Sequence, residues 1–160
     1  TIYLNQLNIR PCQGCDGCAS DGVCVIPDDM QESYRKVQAS SGIVLASPVY
    51  FGGLSAQTKM FIDRFQGWWQ AKYRLQRPFI NEQRPAFFIC VGARKDNKSF
   101  EAARSVARLF FLVINMQLAD SFYFSGYDAP GSVGMEPDTL GQARLAGRKF
   151  AALLNTNSAG

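Results

Sequence analysis

The sequence predicts an α/β fold in which helices cover both faces of a doubly wound parallel sheet. Short continuous apolar runs alternate with longer segments whose apolar residues recur every three to four positions. This alternation is typical of βαβ units. With 160 residues, 47% of them apolar and 19% charged, the chain is long enough to bury one core. We therefore expect a single domain over residues 1–160.

The first part of the chain predicts two strands separated by an irregular loop and a helix. Ile2–Leu4 is a short apolar run typical of a strand, and residues 8–27 are rich in cysteine, glycine and aspartate. Asp28 is suited to cap a helix that ends before Gly42. The apolar run Ile43–Ala46 then predicts a short buried strand.

The remaining elements follow the same alternation. Ser47–Gly53 predicts a loop, because it combines proline, two aromatic residues and two glycines, and Ser55 is suited to cap the next helix. Ala86–Val91 is continuously apolar, which predicts a strand buried on both faces. The elements predicted after it are a helix over about Ser99–Met116, a strand at Ser121–Phe124, a helix from Asp138, and a frayed tail after Leu154.

Composition excludes several classes of function. The chain has no histidine, so Ser-His-Asp and Cys-His catalysis and histidine-ligated metals are excluded. The chain has no Lys/Arg-rich block of the kind that binds nucleic acid. No apolar run reaches the roughly 18 residues needed for a transmembrane helix. The net charge is +4, and residues 59–108 hold eleven basic against four acidic residues. This basic middle suits a phosphorylated cofactor or an acidic partner, or is a solvated face.

Four of the five cysteines fall within thirteen residues, with the spacing C-x2-C-x2-C-x5-C at Cys12, Cys15, Cys18 and Cys24. A compact run of this kind suits an iron–sulfur cubane, in which each iron takes one thiolate. Zinc sites usually use two separated Cys pairs, and disulfide frameworks belong to small secreted chains. Those two readings and a set of free cysteines remain open. Cys90 lies in an apolar strand and is expected to act only as a small hydrophobe.

The loop after the second predicted strand is a candidate ligand site. It comprises Ser47, Pro48, Val49, Tyr50, Phe51, Gly52 and Gly53. In open α/β sheets ligands bind at the carboxyl ends of the strands. Glycine lets a ligand approach the backbone, the aromatic residues offer stacking faces, and a helix begins immediately afterwards. An ordinary Pro–Gly turn with aromatic packing is the alternative.

These two motifs resemble a known family. The stretch from Ser47 to Arg64 resembles the flavin-binding segment of the NADPH-dependent FMN reductase family, which has a flavodoxin-like fold. The cysteine run, followed by Val25-Ile26 and Asp28-Asp29-Met30, resembles the iron–sulfur flavoprotein branch of that family. The resemblance implies FMN at Ser47–Gly53 and a [4Fe–4S] cluster on the four cysteines. It also implies electron transfer between them in a homodimer or a dimer of dimers, with NAD(P)H or ferredoxin as donor.

One part of the family pattern has no counterpart. The family's first strand and its Ser/Gly/Asn-rich phosphate loop are absent, so that Thr1 would enter at the second strand. We therefore expect the natural chain to extend before Thr1 by a strand, a phosphate-binding loop and a helix. That strand would lie between the first and second strands predicted here.

The resulting hypothesis is a cytoplasmic electron-transfer flavoprotein, because thiolate ligands need reduced cysteines. No side chain is assigned as a catalytic acid or base. The alternatives are an NAD(P)H-dependent FMN or quinone reductase without a cluster, and a cofactor-free binding module with a zinc-stabilised loop. The aromatic and basic segment 61–79 has the composition of an interface core. We expect Trp68 and Trp69 at or near a dimer contact.

Overall fold

The computed structural model describes residues 1–95 and 97–156 as a four-stranded sheet with helices on both faces. The expected fraying after Leu154 concerns mainly residues outside this part, since the last helix continues to Thr156. The helices are α1 (Met30–Ala39), α2 (Ala56–Asp63), α3 (Gln66–Trp69), α4 (Lys98–Val113) and α5 (Pro137–Thr156). The strands are β1 (Ile43–Tyr50), β2 (Gly53–Leu54), β3 (Arg84–Gly92) and β4 (Met116–Ser125). Short helical turns lie at Leu4–Gln6, Gln70–Arg74 (π-helical) and Ser132–Met135.

The sheet has the order β2-β1-β3-β4, and its three long strands run parallel. Ile43 pairs with Ala86 and Pro48 with Val91, so β1 and β3 end at the same edge. The two-residue strand β2 runs antiparallel to the end of β1. This architecture confirms the predicted fold class.

Alternate residues of β3 serve two separate cores. Phe88 and Cys90 point into the larger core with α1, α2 and α4, whereas Phe87 packs against α5 through Phe150. Side chains alternate between faces along a strand, so a run buried on both faces must be apolar throughout. The continuous run in β3 predicted this correctly. Within α5, Phe150 is buried and Gly147 is exposed.

The first predicted strand is wrong. Residues 1–3 pair with no strand in the described chain, and Leu4–Gln6 form a 3-10 turn whose leucine packs against the larger core. A three-residue apolar run cannot distinguish a strand from a buried turn by pattern alone. Among the described residues, Ile43–Pro48 of β1 therefore have a strand partner only on the β3 side, and Val44 is half-exposed.

No helix in the described part of the chain is both long and apolar enough to cross a membrane.

Candidate functional site

The segment predicted as a loop at Ser47–Gly53 is instead a β-hairpin. Strand β1 continues to Tyr50, because its pairing with β3 extends to Pro48 and its last residues pair back onto β2. Phe51 and Gly52 form the turn, with φ angles of 49° and 80°. A bulky side chain in this left-handed region is uncommon. The turn places the Phe51 ring fully in solvent.

Three buried hydroxyls join the hairpin to α2. The Ser47 Oγ accepts from the Ser55 backbone N at 3.1 Å and from the Thr58 hydroxyl at 3.2 Å. The Ser55 Oγ accepts from the Thr58 backbone N at 3.3 Å, which confirms the predicted N-cap. Each buried donor in this set has a partner, so the hairpin and the start of α2 are held together.

A cleft of about 460 Å³ opens beside this hairpin, at the carboxyl ends of the parallel strands. It has the size of a small-molecule site. Its lining comes from the hairpin, from the loop after β3, from the start of α4 and from β4. These residues are Val49, Phe51, Gly52, Gly92, Ala93, Arg94, Ser99 and Tyr123.

The opposite wall of the cleft is closely fitted. A Cβ at Gly92 would lie 3.2 Å from both the Tyr123 hydroxyl and the Val49 side chain, so glycine allows these elements to meet. The Tyr123 hydroxyl donates to the Arg94 carbonyl at 2.8 Å and ties the loop after β3 to β4. The sequence signal for this wall is the βαβ alternation, which predicts parallel strands whose carboxyl ends meet at one edge.

The structure separates the predicted loop residues into two groups. Val49, Phe51 and Gly52 line the cleft. Ser47 supports the hairpin from the core, and the others lie outside the lining: Pro48, Tyr50 and Gly53. In size, position and glycine content, the cleft fits the ring part of a flavin.

Gly52→Val is expected to weaken FMN binding by at least tenfold, about 1.4 kcal/mol. The added side chain would enter the cleft, where the nearest protein atom to a Cβ is the Ser99 Oγ at 3.8 Å. Fluorescence titration of FMN measures the change. Gly131→Val is the matched control, because Gly131 has φ 79° and open space but lies outside the cleft lining. Equal FMN affinity in the Gly52 variant and the parent would contradict this placement.

The four clustered cysteines lie on one loop with unusual backbone angles. Gly14, Asp16 and Gly22 have φ of 60°, 54° and 80°. Cys12 and Cys15 are exposed, whereas Cys18 and Cys24 are partly buried. All five cysteines of the chain are described, and each is a free thiol.

The thiols are close enough to influence one another. Burial raises the pKa of the Cys18 thiol, and the neighbouring Cys24, Cys12 and Cys15 thiols raise it further. Among the described residues, however, no three Cys, Asp or Glu side chains are arranged to hold one metal ion. Four thiols on one loop supply the ligand type that a [4Fe–4S] cluster uses, in which each thiolate takes a different iron.

Close backbone packing attaches this loop to α3. A Cβ at Gly67 would overlap the Gly22 carbonyl oxygen and lie 3.3 Å from the Cys18 Cβ. A Cβ at Gly22 would in turn lie 2.6 Å from the Ala71 Cβ. Two glycines thus let the loop lie directly on the helix.

Two aspartates and one arginine close the base of the loop. Asp29 accepts from the Asn8 backbone N at 2.7 Å, and Asp28 accepts from the Arg10 backbone N at 2.9 Å. Asp28 also forms a buried ion pair with Arg64. Burial alone would raise the pKa of Asp28, but the hydrogen bonds from Arg64, Arg10 and Met30 lower it overall. The carboxylate therefore remains charged.

Trp68, expected at or near a dimer contact, is buried within its own chain. Trp68 is only 5% exposed and packs within its own chain against Tyr34, Phe65 and Phe79. Trp69 is partly exposed and lies beside Tyr73. The first tryptophan thus belongs to the core that supports α3.

A parallel α/β sheet with a cleft at its carboxyl edge is the architecture of flavodoxin-like proteins. The profile of the NADPH-dependent FMN reductase family matches residues 1–128. The chain belongs to this family of FMN-dependent oxidoreductases.

Two relatives are named iron–sulfur flavoproteins. The chain is 30% identical to an iron–sulfur flavoprotein of Methanocaldococcus jannaschii over 96% of this chain and 79% of that protein. It is 42% identical to the iron–sulfur flavoprotein of Methanosarcina thermophila over 40% of this chain and 34% of the relative.

Solved structures agree in fold. A flavone reductase superposes with a TM-score of 0.69 at 19% identity, over 99% of this chain and 52% of its own. The NAD(P)H:quinone oxidoreductase of Methanothermobacter marburgensis gives a TM-score of 0.56 at 19% identity, over 81% of this chain and 66% of its own. The chain thus spans about half the length of the flavone reductase.

Proposed function

We propose that the chain is an electron-transfer iron–sulfur flavoprotein, with a [4Fe–4S] cluster on Cys12, Cys15, Cys18 and Cys24 and FMN at the hairpin cleft. When bound, a cluster exchanges single electrons and FMN one or two, so together they connect one-electron and two-electron partners. NAD(P)H or ferredoxin is the proposed donor, and the cytoplasm is the proposed location.

One observation carries the proposal: the four thiols share a loop that is fixed to the protein on two sides. Gly67 lets the loop lie directly on α3, and Arg64 with Asp28 closes its base. A loop with free cysteines left over from a lost site would not require a buried ion pair beneath it. The names of the relatives support the same conclusion.

The protein side chains then position the cofactors and exclude water. Ser47 and Thr58 fix the hairpin, and Gly52 leaves room for a planar ring beside it. No side chain is proposed as a general acid or base.

A cluster-free NAD(P)H-dependent FMN or quinone reductase is the second candidate. It is favoured by the exposure of Cys12 and Cys15 and by the lack of a closed metal site among the described residues. Membership of a flavin-dependent family leaves the cofactor-free zinc module without support.

Anaerobic purification followed by an absorption spectrum and metal analysis tests the proposal. A flavin band, a broad iron–sulfur shoulder, and about four iron and four sulfide per chain are expected. Flavin without iron and sulfide would favour the cluster-free reductase. Zinc without sulfide would refute the cluster.

We also expect a homodimer or a dimer of dimers. Trp69 and the half-exposed Tyr73 remain candidates for the contact, since Trp68 is buried. Aromatic residues are enriched in interface cores. Sedimentation velocity at micromolar concentration should show the dimer, and Trp69→Ala should weaken it. A monomer with both cofactors bound would contradict this prediction.

A further inference from the structure

Arg64 is a fully buried charged residue immediately after α2. Its side chain has no exposed surface, and its ion-pair partner Asp28 is 4% exposed. Burying a guanidinium is costly unless its N–H groups find acceptors, so its contacts need an explanation. Arg64 is the last residue of the stretch that resembles the family's flavin-binding segment, and that resemblance implies no role for it.

The guanidinium contacts both ends of the cysteine loop. Its Nη1 donates to the Arg10 carbonyl at 2.8 Å and to the Asp28 carboxylate. Its Nη2 donates to the Cys24 Sγ and the Ile26 carbonyl, each at 3.4 Å. Arg10 precedes the first cysteine of the loop, and Cys24 is the last. One planar group therefore holds the entry and the exit of the loop.

The hydrogen bonding of Arg64 is incomplete among the described residues. Its Nε is buried and has no partner there. A buried unpaired N–H is uncommon in native proteins. The guanidinium thus has one buried donor more than the protein acceptors around it in the described residues.

We propose that Arg64 is a positioning residue that fixes Cys24 and raises the reduction potential of the cluster on this loop. The effect on the reduction potential rests on the proposed function, whereas the positioning of Cys24 does not. Reduction makes a cluster more negative, so a cationic N–H donor to a ligating sulfur stabilises the reduced form. Asp28 orients the Arg64 guanidinium through their ion pair. The group that contacts the Cys24 sulfur is the guanidinium itself.

Arg64→Lys is the first test, with Arg104→Lys as the matched control. A lysine retains the charge needed by Asp28 but lacks the planar fork that reaches Asp28 and Cys24 together. Arg104 is exposed and contacts Glu101 and Ser121. We expect Arg64→Lys to lower the equilibrium constant for one-electron reduction about tenfold, a potential about 59 mV more negative. An EPR-monitored redox titration measures this shift, and the control should match the parent. An unchanged potential in Arg64→Lys overturns the proposal.

A second experiment is needed in case Arg64→Lys folds poorly or the chain binds no cluster. The pair Arg64→Gln with Asp28→Asn removes both charges together, so neither is left buried alone. Hydrogen exchange of peptides covering residues 8–30 is compared in the metal-free full-length chains. We expect at least tenfold faster exchange in the Arg64 variants than in the parent and in Arg104→Lys. If the parent binds no iron and sulfide, the proposed function fails, and this exchange result alone decides the positioning role. Equal exchange in all chains overturns it.

Discussion

Replacing Cys18 with alanine is expected to abolish cluster binding. Cys18 lies against α3 and is partly buried, and this burial, together with the other three thiols of the loop, raises its pKa. Losing this thiolate leaves one iron of a cubane without its protein ligand. After anaerobic reconstitution, iron and acid-labile sulfide should fall from about four per chain to near zero. The broad visible absorption should fall with them, while FMN binding at the hairpin persists.

Cys90→Ala is the matched control for this loss. Cys90 is 1% exposed, and burial raises its pKa to about 12, so it remains a neutral thiol in the core. Its removal opens a small cavity and should cost about 1 kcal/mol of unfolding free energy. Iron and sulfide content should match the parent. Full cluster content in Cys18→Ala would show that the four cysteines are not the ligand set.

Gly67→Ala is expected to displace the cysteine loop. The added methyl group would overlap the Gly22 carbonyl oxygen, which is backbone and cannot rotate away. Either the loop or α3 must shift, and such overpacking typically costs about 1–3 kcal/mol. We expect a lower denaturation midpoint and reduced iron occupancy after reconstitution. Urea unfolding and iron analysis measure the two effects.

The control is the same substitution on an open helix surface. Gly147 lies in α5, and a Cβ there would meet no atom within 4 Å. Gly147→Ala should therefore stabilise the chain by about 0.5–1 kcal/mol through its better helix propensity. If both alanine variants unfold at the same denaturant concentration as the parent, the loop does not depend on the close approach at Gly67.

The strands and helices that sequence reasoning placed well are those with a strong local pattern. Ala86–Val91 is apolar at every position and became a strand buried on both faces. Ser55 has the side chain and the following apolar period of an N-cap, and it caps α2. Ile2–Leu4 carried too few residues to decide between strand and turn. At Ser47–Gly53, pairing with β3 and β2 overrode the loop signal of proline and glycine.

The residues that sequence reasoning missed make their contacts with residues far away in the sequence. Gly67 gave no signal, because its partner is the backbone of Gly22. Arg64 reads as an ordinary helix-end cation until the fold brings residues 10–28 over it. The composition of 61–79 suggested an interface, and only the packing of Tyr34, Phe65 and Phe79 shows where Trp68 lies.

The length of helix α2 sets the distance between the hairpin and the cysteine loop. The start of α2 is bonded to the hairpin through Ser47 and Ser55, and the residue after its end, Arg64, holds the cysteine loop. Its 8 residues span about 12 Å at 1.5 Å per residue. Inserting one residue would turn Arg64 by about 100° around the helix axis, away from Cys24. The exposed surface of α2 is thus open to substitution, whereas the number of residues between hairpin and arginine is not free to change.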